Sequence, residues 1–173
     1  MENILIRQEN PMDYKAVYQV VQKAFESAEH ADGNEQDLVQ ALRKSDAFCK
    51  QLSLVAEKEG KIIGYILFTK VSVGSGEALA LAPLAVLPQY QKQGVGTALI
   101  KRGHEIAKQL GYSHSIVLGS ERYYPRFGYQ PASQFGIQPP FDVPSENFMA
   151  ISLGEKEGNL SGVVEYAKEF FEV

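Results

Sequence analysis

Two short stretches of the chain carry side chains at spacings that suit chemistry. The first is Gln91-Lys92-Gln93-Gly94-Val95-Gly96-Thr97. Its glycines let a ligand approach the backbone closely, and Gln91, Gln93 and Thr97 add side-chain donors around the same point. The second is Tyr123-Tyr124-Pro125-Arg126-Phe127-Gly128-Tyr129. A phenol with its ordinary pKa of about 10 is a competent proton donor at neutral pH. Tyr123 and Tyr124 are adjacent, so in a helical turn they point in different directions, and at least one is expected to reach a cleft. Phe127 and Tyr129 read as core.

The elements around the glycines say what they are for. Ala78 to Leu87 is almost continuously apolar, as a strand buried on both faces should be. Val95, Ala98, Leu99, Gly103, Ile106, Ala107 and Leu110 then recur along one helix face. Gly111 stands where such a helix stops. A strand that runs through a glycine loop into a helix start makes an anion site. The first-turn N–H groups are unpaired there, and the helix dipole favours negative charge. The plainer alternative is a tight strand-to-helix turn with no ligand.

Missing residues narrow the choice of anion. A P-loop needs Gly-Lys-Ser/Thr, and no such triplet occurs. A dinucleotide fingerprint needs a third glycine, where Leu99 stands. It also needs an acid about 20 residues on, near Ser113, His114 and Ser115. Pro83 interrupts the preceding strand and cannot donate to a ladder, so a bulge is expected there. A strand that leaves its neighbour at a bulge frees backbone groups, and a ligand with amides can pair with them.

The Gln-x-x-Gly-x-Gly loop follows a strand carrying Leu84-Ala85-Val86-Leu87-Pro88, and the aromatic-Tyr-x-x-x-Gly-aromatic block lies downstream. Together they resemble the acyl-CoA loop and tyrosine block of the GNAT N-acetyltransferase superfamily. The resemblance covers Leu52 to Ala132 well and the N-terminal third loosely; beyond Gly136 it extends to compact bacterial members. It implies a mixed α/β fold: a mostly antiparallel sheet of roughly six or seven strands flanked by about four helices. The sheet should splay between Ala78–Leu87 and Ser115–Leu118. The implied activity is transfer of acetyl from acetyl-CoA, as cosubstrate and without a metal, to a primary amine of a small molecule or peptide. The amine attacks directly in a ternary complex.

The same resemblance distributes the roles. Leu84, Ala85 and Val86 would meet the pantetheine amides. Gln91, Gln93, Gly94, Val95, Gly96 and Thr97 would hold the pyrophosphate, with Ser120 and Tyr123 also on the cofactor side. Tyr124, four residues before Gly128, would be the general acid. Some members place a basic glutamate on the cofactor strand; the matching position here is Ala80, and Glu77 stands earlier. Glu26, Glu29 and Glu35 near the acceptor side are alternatives, as are a water chain or an amine that arrives neutral. Two rivals stand beside this reading: a non-enzymatic acyl-CoA-binding module and a regulator that binds a phosphate ligand.

Composition sets the bounds. A chain of 173 residues fits one domain. Its net charge of −4 disfavours non-specific nucleic-acid binding. Cys49 is the only cysteine, which suits a reducing cytoplasm. Met1-Glu2-Asn3 is acidic and leads into no long apolar run, so neither a signal peptide nor a membrane span is expected. One cysteine and three scattered histidines make no metal-ligand set. His104 lies off the apolar stripe and reads as a surface residue; His114 begins a strand; His30 sits in a loop. A monomer or a homodimer is expected.

In chain order, Ile4 to Arg7 reads as a strand. Asn10, Pro11 and Asp13 make a helix start, continued by a stripe from Tyr14 to Phe25. Glu26 to Gly33 is a polar loop, and Asn34 caps a second helix to about Ser45. Leu52 to Glu57 and Lys61 to Val73 form a hairpin, and Gly74-Ser75-Gly76 turns into the cofactor strand. Ser115 to Leu118 returns parallel to that strand after the helix. Ser120 to Phe127 reads as a short helix, Tyr129 to Ala132 as the start of a strand, Gly136 to Pro144 as a loop and Phe148 to Leu153 as a strand. The tail reads equally as an edge strand through Val163, Val164 and Tyr166 or as a helical turn from Glu165 to Phe171.

Overall fold

A computed structural model describes residues 3–26, 32–154 and 160–172. Residues 27–31, which hold Glu29 and His30, fall outside it. Five strands carry most of the sheet: β1 (Ile4–Gln8), β2 (Phe48–Lys58), β3 (Lys61–Val73), β4 (Gly76–Val86) and β5 (His114–Leu118). Then follow β6 (Gln130–Pro131), β7 (Ile137–Gln138), β8 (Phe148–Ser152) and β9 (Gly162–Glu165). Three α-helices pack on them: α1 (Tyr14–Phe25), α2 (Glu35–Leu42) and α3 (Val95–Gln109). The sheet order is β1-β2-β3-β4-β5-β8-β6, and β9 pairs with β3 and β7. Among the described residues the sheet is thus larger than expected by its two-residue strands β6 and β7, and there is one α-helix fewer. Ser120 to Phe127 forms only a 3-10 turn at Tyr124–Phe127, because Pro125 and the left-handed Gly128 leave no room for an α-helix.

The local signals explain these elements. Asn10 Oδ1 accepts from Met12 N–H while Asp13 Oδ2 accepts from Asn10 N–H, a reciprocal cap that starts a 3-10 turn flowing into α1. Gly94 at φ +89 begins α3, and Gly111 at φ +92 ends it. Asn34 precedes α2, which stops at Leu42, earlier than Ser45. Lys44 and Ser45 instead close a turn onto Ala41 and Leu42. β2 begins at Phe48, because a register shift between Phe48 and Ser53 takes up its polar first residues. Both readings of the tail hold in succession: β9 pairs Val164 and Glu165 with β3, and a 3-10 turn follows at Lys168–Phe171.

One buried polar cluster ties α2 to the sheet. The Arg43 guanidinium, just past α2, donates to Glu9 at the end of β1, and both side chains are almost fully buried. Ser53 Oγ also donates to Glu9, at 2.8 Å, and meets Tyr65 Oη at 2.7 Å. A buried ion pair is tolerable only when its remaining groups are bonded, and here they are.

Two sequence expectations change on the helix α3. Leu110, placed on its apolar stripe, is 43% exposed, because the cap turns it outward. His104, expected at the surface, is half-buried: its Nε2 lies 2.9 Å from Tyr129 Oη, and its ring packs against Phe68 and Tyr129. Gly103 explains this, since its missing side chain lets the Phe68 ring lie against the helix. His114 is buried at the start of β5, where its Nδ1 lies 2.8 Å from Ser113 Oγ.

Candidate active site

The site begins at the bulge. β3 and β4 pair regularly from Phe68↔Leu81 downward, then slip, and pairing resumes at Ile66↔Leu84. Ala82 and Pro83 occupy the slip, with a cis peptide between them. Pro83 therefore sits where the sequence demanded a bulge. On its other edge β4 pairs with β5 only at Leu79↔Ser115 and Ala80↔Ile116. Beyond Ala80 the two parallel strands separate.

That separation leaves β4 backbone unpaired. Leu87 N–H donates to the Ile63 carbonyl at 2.9 Å. Bonded positions alternate along an antiparallel ladder, so Ala85 and Leu87 address β3, whereas Leu84 and Val86 address the opening. Of the three expected strand contacts, Ala85 thus has its backbone turned to Tyr65 and its side chain buried. Leu84 and Val86 are the pair that face the cleft.

The glycine loop stands at the end of the opening. The N–H groups of Gln93, Gly94, Val95, Gly96 and Thr97 donate to no acceptor among the described residues. Lys92 at φ +62 and Gly94 at φ +89 turn the chain so that this run leads into the first turn of α3. Consecutive free N–H groups at a helix start form an anion cradle. Gln91 and Gln93 do not aim at it. Gln91 Nε2 donates to the Val86 carbonyl and Gln93 Nε2 to the Gln89 carbonyl, each at 3.0 Å. Gln91 thus ties the loop to the last residue of β4, and Gln93 ties it to the turn that follows.

The tyrosine block closes the opposite wall. Tyr123 and Tyr124 rings meet edge to face with centroids 5.1 Å apart, and Tyr124 stands edge-on to Tyr129 at 5.7 Å. Tyr124 lies against Gly119 at the end of β5, and Tyr123 reaches Gly96. Burial pushes the Tyr124 phenol above its ordinary pKa, so it holds its proton more firmly. Burial raises Tyr123 as well, against the Arg126 guanidinium that lies over its ring at 4.6 Å. Ser120 Oγ accepts from Arg122 N–H and opens the turn that presents both tyrosines.

A cavity of about 700 Å³ runs from this point, with Leu84, Ser120, Tyr123 and Tyr124 on its wall. Ala80 lines it and is buried, so no acid stands at that strand position. Glu77 lies elsewhere, in a separate hollow with Lys70 and Glu165. Glu26 is exposed and outside the cavity, whereas Glu35 lines it. The Glu35 carboxylate already accepts from Asp32 N–H at 2.9 Å and Gly33 N–H at 3.2 Å. Sequence reasoning missed the far wall, which Phe141, Tyr166, Phe170 and Phe171 supply. The usable signal was three aromatic residues in the last eight of a polar tail. Among the described residues no group of His, Cys, Asp or Glu is placed to hold a metal, and no helix is long and apolar enough to cross a membrane.

Comparison with known proteins finds relatives along most of the chain. The uncharacterized N-acetyltransferase YjhQ of Escherichia coli is 39% identical over 141 residues, 77% of this chain and 78% of that one. The uncharacterized N-acetyltransferase YhbS of the same species is 32% identical over 171 residues, 96% and 98% of the two chains. The crystal structure of Escherichia coli YhbS in complex with CoA superposes with a TM-score of 0.88 at 29% identity, covering 98% of this chain and 92% of that one. A GNAT family acetyltransferase from Brucella melitensis in complex with acetyl-CoA gives 0.81 at 31% identity, covering 98% and 99%. Residues 14–129, from the start of α1 to the end of the tyrosine block, match the Acetyltransferase (GNAT) family, and with these relatives along nearly its whole length the chain belongs to that family.

Proposed function

We propose that this protein binds acetyl-CoA in the opening between β4 and β5 and transfers the acetyl group to a primary amine by direct attack. The observation that carries the reading is the run of unpaired N–H groups from Gln93 to Thr97 beside a strand edge left free by β5. A pyrophosphate with an amide-bearing arm needs an anion cradle continuous with unpaired backbone, and these residues supply both. The two relatives crystallised with CoA and acetyl-CoA support it.

In this reading Leu84 and Val86 offer backbone to the arm, and Gly94, Val95, Gly96 and Thr97 hold the phosphates. The bound thioester supplies an activated acyl group. Leu84 N–H, which faces the opening farther from the glycine loop than Val86 does, stabilises the charge that develops on the acyl oxygen at the end of the arm. Tyr124 Oη makes no hydrogen bond among the described residues and keeps its proton, ready to hand it to the departing sulfur. With alanine at position 80, no acid on β4 takes the amine's proton. An ammonium that reaches the cavity loses one proton to water before it attacks, and the proton released by the new amide nitrogen restores the one that Tyr124 gives to sulfur. Holding both substrates in one cleft provides much of the remaining rate.

Calorimetry with CoA, followed by acetyl-CoA turnover against a panel of amines, tests this. Binding of CoA with amine-dependent release of free thiol is the expected result. Binding without turnover by any amine would favour a non-enzymatic acyl-CoA module. ATP binding as tightly as CoA would favour a phosphate-ligand regulator.

A further inference from the structure

The far end of the cavity restricts what can enter it. Its walls there come from the chain's C-terminal tail, which β9 folds back along β3 through Ser72↔Glu165 and Val73↔Val164. This pairing sets Tyr166 as the hub of an aromatic cluster. Phe141 stacks on it with centroids 6.0 Å apart and planes 15° from parallel; Phe170 lies at 5.1 Å and Phe171 at 6.4 Å. Phe25 and Leu38 face the same space from α1 and α2. Flat apolar surfaces of this kind recognise flat apolar bodies, because ring contacts add to the area they bury.

The charges on this wall have one sign. Asp32 and Glu35 line the cavity, and no Lys, Arg or His does so among the described residues. A cationic head is welcome at that rim. A carboxylate would be desolvated beside like charge with no Lys, Arg or His among the described lining residues to pair with. Both acids sit at one place, so a chain with several spaced cations finds a carboxylate partner for one end only.

We infer that the acceptor is a monoamine carried on an aromatic body and lacking a carboxylate, in short an arylalkylamine. The inference rests on the transferase reading above. It names a substrate class for the same site.

The test compares tryptamine and 2-phenylethylamine with tryptophan, phenylalanine and spermidine. Calorimetry measures amine binding to the CoA-loaded protein, and thiol release measures turnover. The arylalkylamines should show kcat/KM about a hundredfold above their amino acids, since like-charge juxtaposition costs several kcal/mol, and should also exceed spermidine. Phe171 is 64% exposed, so changing it should leave the fold intact. Phe171→Ala should raise the KM for tryptamine about tenfold without changing CoA affinity, through loss of one ring contact. Phe171→Arg should cut the tryptamine-to-tryptophan ratio by at least about tenfold, because it brings a cation to the wall.

Equal or better turnover of phenylalanine, tryptophan or spermidine would overturn the inference and leave the transferase reading standing. So would ratios that ignore both Phe171 variants. Arylalkylamine binding without thiol release would keep the inferred pocket and remove the transferase reading. Failure of every amine to bind a CoA-loaded protein would overturn the inference alone.

Discussion

The phenol oxygen of Tyr123 lies over Gly96, so close that a Cβ built at Gly96 would stand 2.5 Å from it. The next Tyr123 atom, Cζ, would be 3.8 Å away, an ordinary contact. Gly96 therefore serves two partners. It opens the anion cradle at the start of α3 and leaves room for a hydroxyl of the tyrosine block.

That relationship gives a double-mutant prediction. Gly96→Ala should destabilise the protein by about 1–3 kcal/mol, the usual cost of overpacking. Tyr123→Phe removes the clashing atom, so the pair Gly96→Ala/Tyr123→Phe should be more stable than Gly96→Ala alone. Denaturant unfolding of the four species of the cycle checks this. Additive losses would mean that the hydroxyl simply swings aside. The cycle also clarifies Gly96→Glu, which should abolish CoA binding but must displace Tyr123 as well as repel phosphate.

Gln91 and Gln93 brace the loop through the Val86 and Gln89 carbonyls. Each Gln→Ala should weaken CoA binding by about 1 kcal/mol, one ordinary hydrogen bond. The loss should come with faster amide exchange in residues 91–94, since the brace and not a ligand contact is removed. Calorimetry and hydrogen exchange together decide it; a large affinity loss with unchanged exchange would place the side chains on the phosphates.

Tyr124→Phe should lower kcat and kcat/KM together by about 10²–10⁴-fold while CoA affinity holds. A drop below about threefold with a good acceptor would move the donor role to Tyr123 or to water. The pH profile adds a second check. Burial raises the Tyr124 pKa above its ordinary value, so the proton is retained up to and past pH ~10. The alkaline limb of kcat should therefore stay flat to that point in the wild type. An alkaline fall well below it would point to a different group.

His104 makes stability pH-dependent. Burial lowers its pKa from 6.5 to about 4 in the folded protein, so the unfolded chain binds the proton first. Between these values the unfolded state carries more protons, and stability rises with pH. It is lost as pH falls from about 6.5 towards 4, by up to about 3 kcal/mol at ~1.4 kcal/mol per unit. His104→Gln should flatten that slope in acid denaturation curves while lowering stability at neutral pH through the lost bond to Tyr129. An unchanged slope would show that His104 meets water freely.

The sequence by itself determined the elements that depend on neighbours along the chain. The glycine loop, the apolar strand before it, the helix after it and the caps at Asn10 and Gly111 are local signals, and each appears where its residues demanded. Pro83 marked the bulge because a missing N–H is a local fact with a sheet-wide consequence. The splay between β4 and β5 was legible only through resemblance, since the divergence after Ala80 is a property of two strands distant in sequence. Tertiary structure decided the rest. Gln91 and Gln93 direct their side-chain amides to the carbonyls of Val86 and Gln89, which the fold of the loop brings within reach. His104 went inward because Gly103 admitted Phe68 and Tyr129 offered a hydroxyl, neither of which helical periodicity reports. The aromatic wall formed because β9 found an edge of β3 and carried Tyr166, Phe170 and Phe171 across the chain to the cleft. Side-chain direction follows whichever partner the fold brings within reach, and such partners are chosen by packing between distant segments.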